Sequence, residues 1–268
     1  NEDGFVVTYL YPAQSEDETD ACTNWTFQTP LTSLEGCTDP FADNYDDSAT
    51  ADDGSCMYAD NENYSLSFDA DKYIELGDLL DETAYTKTAW IYRTTPDGGG
   101  YNNIFSGNSS HALGTPAEKS YRLSGGHNGA WYTVEDTESI PTDVWTFVAL
   151  TYDPNIENGT MNLYKNGILV DSATNIAIPS NDNNCFIGRF AGGNWFRGDI
   201  DNITLWHRAL DPSEIAAVMN NSQNMDFTNL IGNWKLNSGQ GNTALDHSGN
   251  RNHGVIFGAE WNTNHPSI

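Results

Sequence analysis

Residues 184–215 read NCFIGRFAGGNWFRGDIDNITLWHRALDPSEI, and the order of features within them decides the fold. A short apolar run, Cys185–Gly188, leads into a loop built on Gly192-Gly193 that ends in Asn194-Trp195-Phe196. A strand-like run follows, with Asp199 and Asp201 at i and i+2, the spacing that puts both on one face of a strand. Then Asp211-Pro212-Ser213-Glu214 sets an N-cap, an N1 proline and an N3 glutamate ahead of Ile215, Val218 and Met219. That capping box predicts one short helix over 211–220.

Outward from this stretch the chain is a series of short β-rich runs with turn signals between them: Tyr64–Phe68, Tyr73–Leu76, Tyr85–Arg93, Tyr101–Phe105, Tyr121–Ser124, Trp131–Val134 and Trp145–Tyr152. The last is apolar on both faces and so reads as central. Leu163-Tyr164-Lys165 and Ile168-Leu169-Val170 are joined by Asn166-Gly167, a hairpin signal because both turn positions need positive φ. The tail, 230–261, adds two more strands around a Gly/Asn/His-rich loop. Trp90, Trp145, Trp206 and Trp234 fall within strand patterns and are expected in the core. The spacing is that of an antiparallel sandwich, an all-β fold with one helix.

The formal charge of −27, from 11 Lys and Arg against 38 Asp and Glu, excludes a phosphate backbone as partner, since that needs clustered cations. No apolar run approaches the roughly 18–20 residues that span a bilayer, so membrane insertion is not expected. Residues 1–62 hold fifteen Asp or Glu and no Lys or Arg, and read as a separate unit. The chain begins with Asn and shows no signal-like apolar core, which suggests a piece of a larger multidomain protein. Its four cysteines sit in no CxxC pair and favour disulfides in an extracellular, secreted or cell-surface setting. Cys185 lies in an apolar strand and is either bonded to Cys22 or a buried free thiol.

Residues 36–56, GCTDPFADNYDDSATADDGSC, show no apolar periodicity and are closed by Cys37 and Cys56. A segment this polar builds no core, so it is either a solvated acidic linker or fixed by something else. Asp39, Asn44, Asp46, Asp52 and Asp53 supply hard oxygens at short intervals, which suits calcium. The stretch resembles a GCTDPxAxNYxPxAxxDDGSC repeat of bacterial surface and secreted proteins, departing at Asp47 where the repeat has Pro. That resemblance implies a structured loop.

The runs SFDADKYIELG (67–77), TKTAWIYR (86–93), WTFVALTYD (145–153), MNLYKNGILV (161–170), the focal 187–215 and NWKLNSGQGNTALDHSGNRNHG (233–254) together resemble laminin-G-like domains. The resemblance implies a concanavalin A-like jelly roll over roughly 64–262. The organisation expected is an N-terminal strand and acidic segment (1–35), the Cys-closed loop (36–60) and the jelly roll (61–268). Asp69 and Asp201 stand where related laminin-G-like domains carry acidic residues near the rim, which would let them be calcium ligands, although hydrogen bonding in tight turns accounts for them nearly as well.

This fold hosts enzymes and binding modules, so the site must decide. Retaining glycosidases need two carboxyl groups about 5–5.5 Å apart, and glucanases of this fold resemble Glu-x-Asp-x-Glu on one strand. Here the frame reads Asp199, Asp201, Ile203, and the third acid is missing. No GxSxG elbow is present, and His247 with His253 lack a third zinc ligand. Binding remains. His127, Trp131 and Tyr132 in one loop, and Arg189, Asn194 and Trp195 in another, set aromatics beside polar groups, the combination that suits sugar rings. The expectation is a non-catalytic module for a glycan or another cell-surface ligand, serving adhesion or targeting. The alternatives are a structural spacer and a divergent glycoside hydrolase or lyase.

Overall fold

Alternation along Tyr85–Arg93 explains the architecture: Tyr85, Ala89 and Ile91 are buried in the main apolar core, while Trp90 packs on the opposite face. In the computed structural model, which describes residues 33–60, 63–80, 84–94, 100, 102–182, 184–191 and 193–267, this strand lies in the middle of an eight-stranded sheet. In order, that sheet runs Ile168–Ala173, Thr160–Lys165, Trp145–Asp153, Tyr85–Arg93, Gly198–Trp206, Ser65–Phe68 and Glu260–Asn262, with Leu230–Trp234 also on Gly198–Trp206. Trp145–Asp153 is central, as its double-sided apolar pattern predicts. The predicted strand at residues 5–11 lies outside the described residues.

The second layer is a five-stranded sheet, Thr243–Ala244, Gly254–Phe257, Tyr73–Gly77, Cys185–Ile187 and Phe105–Gly107, beside a three-stranded sheet of His111–Gly114, Arg122–His127 and Ala130–Ser139. The bridge Asn103–Gly114 and the bond from Ile104 N–H to the Leu113 carbonyl, 2.8 Å, stitch the two together. Between the layers lies one core that includes Leu66, Ile74, Phe105, Leu150, Ile200 and Trp234. The fold is therefore the expected jelly-roll sandwich. The Asn166-Gly167 turn takes φ 50° and 76°, which only such residues accept without strain.

The predicted helix spans Pro212–Met219, with Asp211 accepting from Ser213 and Glu214 N–H and the Glu214 carboxylate accepting from Asp211 N–H. It packs on the outer face of the large sheet through Ile215, over Trp206, Leu210, Phe147 and Tyr164. A bulge between Asp201 and Thr204 makes this outer apolar cluster possible. Asn202 takes φ 45° there, which restores Ile203 and Leu205 to the core while Trp206 turns outward. Trp206 and Trp234 are buried as expected, whereas Trp90 and Trp145 are only half-buried. The Trp145 indole donates to Asn264 at 3.1 Å, which places it at the sheet's outer rim.

Cys37 and Cys56 form a disulfide that closes the acidic loop. The short strand Glu35–Gly36 pairs in parallel with Ala51–Asp52. The loop docks on residues 246–253: His253 Nε2 meets Asp39 at 2.7 Å, Arg251 pairs with Asp52 at 2.8 Å, and Tyr58 packs edge-on against His247 and His253. That receiving loop is braced by Asp246, fully buried, which accepts from the N–H groups of Asn233, Ser248 and Asn252.

Candidate functional site

After Cys185–Ile187 the chain reverses tightly. Phe190 and Gly193 exchange backbone hydrogen bonds of 3.0 and 3.1 Å, and Phe196 N–H returns to the Gly188 carbonyl at 2.8 Å. Asn194 takes φ 60°, tolerable for Asn, and its carbonyl accepts from Asn103 N–H at 3.2 Å. The turn brings Phe190 against Trp131 of the neighbouring hairpin, edge to face at 5.0 Å and 63°.

A groove of about 180 Å³ opens between them, lined by Trp131, Tyr132, Phe190, Asn194, Asn103 and Ser124. It lies on the outer face of the second layer, since Leu113 and Leu123 face the core and their neighbours Ala112 and Ser124 face away. The Asn194 amide makes no hydrogen bond among the described residues, so it stays available. Tyr132 donates to Glu118, and the Lys119 ammonium stands 4.6 Å from the centre of its ring. Both nearby cations are neutralised by Glu135, Lys119 at 3.2 Å and Arg122 at 2.6 Å, so the groove carries no surplus positive charge.

Of the residues singled out in the sequence, the structure brings Trp131, Tyr132 and Asn194 together and separates the rest. Trp195 turns the other way, onto the five-stranded sheet, where its ring lies 5.9 Å from Tyr73, itself stacked on Phe257 at 4.6 Å. The Arg189 guanidinium is clamped there, 4.1 Å from Tyr73 and 4.0 Å from Phe186, and works as a packing cation. His127 is a correction: it is 2 % exposed, with Nδ1 3.1 Å from the Tyr85 hydroxyl and Nε2 2.7 Å from the Ala177 carbonyl. It alternates with Leu123 and Gly125 and so faces the core. Phe190 was missed, because nothing in the sequence distinguishes it from a strand residue.

The residues of the acidic loop expected to hold calcium each make contacts of their own. Asp39 is spent on Phe41 N–H, the Tyr58 hydroxyl and His253; Asn44 uses both amide atoms, on the Ser55 carbonyl and Met57 N–H. Asp46 and Asp53 cap their own turns through Ser48 and Ser55, and Asp52 faces Arg251. Among the described residues no three His, Cys, Asp or Glu side chains converge on a metal position. Asp69 and Asp201 cannot share an ion: Gly198 pairs with Phe68 and Ile200 with Leu66, so the two stand four register positions apart, roughly 13 Å along the strands. Cys185 is a free, fully buried thiol, its pKa pushed up to about 12 by burial; Cys22 lies outside the described residues.

Asp199 and Asp201 do share the outer face of their strand, but each has a structural tie. Asp199 accepts from the Asn264 amide at 2.7 Å, and Asp201 from the N–H and amide of Asn202 at 2.9 and 3.1 Å. Burial raises the Asp201 pKa well above the usual carboxylate range, with Asp60 adding to it. Ile203, the third position of the frame, is fully buried in the core.

A family profile described as the concanavalin A-like lectin/glucanases superfamily matches residues 68–216. A comparison with curated proteins finds no match. Among solved structures, a candidate carbohydrate-binding protein from Bacteroides ovatus superposes with a TM-score of 0.61 at 18% identity, covering 80% of this chain and 65% of its own. A SAP-like pentraxin from Limulus polyphemus gives 0.45 at 16% identity over 60% and 83%. The CBM40 of the Ruminococcus gnavus IT-sialidase gives 0.47 at 18% over 58% and 96%. At these identities the likeness is one of fold, and the chain spans less than two thirds of the first of these proteins.

Proposed function

The chain belongs to the concanavalin A-like lectin/glucanases superfamily, and from that premise we propose that it is a non-catalytic extracellular module that binds a neutral glycan in the Trp131–Phe190 groove. The observation that carries this reading is the groove itself: two aromatic rings meeting at 5.0 Å beside the unengaged amide of Asn194. A sugar ring offers apolar C–H faces to an aromatic and hydroxyls to an amide. Neutrality of the ligand follows from the charges: Lys119 and Arg122 are already paired with Glu135, and the chain as a whole carries −27. A uronate or sialic acid would meet repulsion with no free cation to offset it. The disulfide fits an oxidising compartment, and the module would serve adhesion or the targeting of a longer protein to polysaccharide.

A glycan array with the full chain, followed by calorimetry on the best neutral oligosaccharide, tests this. Trp131→Ala should weaken binding at least about ten-fold, and Trp195→Ala much less. Equal binding by wild type and Trp131→Ala would move the site elsewhere, binding to no glycan would favour a spacer, and release of reducing ends would make the protein an enzyme.

A further inference from the structure

We propose a second binding site, for a neutral polyhydroxylated ligand of the sugar class, in the cleft on the helix-bearing face of the large sheet. Two cavities of about 390 and 530 Å³ adjoin there, and Asn202, Asn221 and Lys235 line both, so they are neighbouring parts of this cleft. The fold creates it. The helix covers the outer face through Ile215, with Val218 and Met219 partly buried beside it, and ends at Met219, leaving the stretch beyond it open.

The cleft's chemistry is that of hydroxyl recognition. Its aromatic element is Phe227, an exposed ring stacked parallel on buried Trp206 at 6.3 Å and 14°. The side chains of Asn221 and Asn233 make no hydrogen bond among the described residues, and the Asn202 carbonyl oxygen is likewise unengaged, so amide donors and acceptors face the space. His247 also lines it, neutral because burial lowers its pKa to about 4, and its ring nitrogens make no hydrogen bond among the described residues. At the other end stands the Asp201 carboxyl, 3 % exposed. Each of its oxygens accepts one bond from Asn202, which leaves lone pairs for a hydroxyl.

Charge narrows the class further. Lys235 is the cation of the cleft, and it is committed to Asp60. An anionic ligand would find no free positive group lining the cleft, inside a chain of charge −27. A neutral polyol needs no such partner. This site and the Trp131 groove lie on opposite outer faces of one sandwich, so a single module could hold two glycan chains at once. The inference does not depend on the groove being correct.

The test is a side-chain amide NMR titration of the full, ¹⁵N-labelled chain with cellotriose, laminaritriose, xylotriose and mannotriose, and separately with calcium chloride alone. The expected result is saturable movement of the Asn202 and Asn233 amide signals with at least one trisaccharide, retained in Trp131→Ala. Asn233→Ala and, independently, Phe227→Ala should each weaken that response about ten-fold, equivalent to roughly 1.4 kcal/mol, while the remaining backbone spectrum stays that of the folded wild type. The proposal is overturned if these amides are unmoved by every trisaccharide, if their movement disappears in Trp131→Ala, or if calcium alone saturates it, which would make Asp201 a cation ligand. Movement of the cleft amides with a still Trp131 indole would instead break the groove reading and leave this one standing.

Discussion

Residues 33–60 bury Cys37, Asp39 and Ala42 and little else, whereas the sandwich behind them buries Phe105, Ile200, Leu205 and Trp234 in one layer and Phe147, Trp206 and Ile215 in another. The two regions fold for different reasons. The sandwich is held by apolar burial, at roughly 25 cal/mol per Å² removed from water. The acidic loop has no such reserve, so it relies on one covalent bond, on aspartates that cap its own turns, and on the His253 and Arg251 contacts that seat it. The lesson concerns acidic residues: a run of aspartates that suits calcium by composition suits turn N–H groups as well, and Asp46 and Asp53 accept from N–H groups two residues on.

Breaking the apolar side of this contrast should have the largest effect. Trp234 is fully buried against Phe105 at 6.2 Å, and its indole donates to the Asn252 carbonyl at 2.7 Å. Trp234→Ala should cost about 4 kcal/mol of global stability, read in urea melts. Breaking the covalent side should cost less and act locally. Replacing Cys37 and Cys56 by serine, which opens a 19-residue separation, should remove about 3 kcal/mol from the loop alone. Hydrogen exchange at Asp46 and Asp53 N–H should accelerate while the sandwich melts nearly as before. If the serine variant lowered the global midpoint as far as Trp234→Ala does, the loop would have to be counted as part of the core.

Most of the fold could be read from the sequence, because its signals are local. The Asn166-Gly167 hairpin and the Asp211–Glu214 capping box each specify backbone geometry within four residues, and both form as expected. The candidate site was legible only in part. Trp131 and Asn194 announce themselves beside Gly-containing turns, but their meeting through Phe190 depends on a contact between a strand and a turn 59 residues apart in the chain. Direction is the other thing spacing alone leaves open: Asn194 and Trp195 are neighbours that point to different surfaces. His127 could have been placed correctly, since Leu123, Gly125 and His127 share one face of their strand. Lys87 could not, because a lysine in a strand is ordinarily on the solvent side.

Lys87 also supplies the smallest expected effect, and it qualifies the account of the sandwich as purely apolar. It faces inward between Tyr85 and Ala89, its ammonium nitrogen 5.2 Å from the Tyr85 and Phe105 ring centres and without a hydrogen-bond partner among the described residues. His111, His127, Asp182 and Cys185 are the other titratable groups that face it. Burial lowers its pKa from 10.5 to about 7. Between those values the unfolded chain holds a proton that the folded chain has released, so stability must rise with pH. Below pH 7 both states are protonated and the cost is constant. Burial also holds His111 and His127 neutral, but their contribution is confined to pH below 6.5. Cys185 acts in the opposite sense, because its pKa is raised from 9.0 to about 12 and it therefore lowers stability above pH 9. The window is thus pH 7 to 9, where the wild type should gain on the order of 2 kcal/mol at about 1.4 kcal/mol per pH unit. Lys87→Met fills the same volume with no amine, so its urea midpoint should be higher at pH 7 and flat across that window. A variant that kept the wild-type slope would show that Lys87 is not the titrating group, and the core would have to be searched for another.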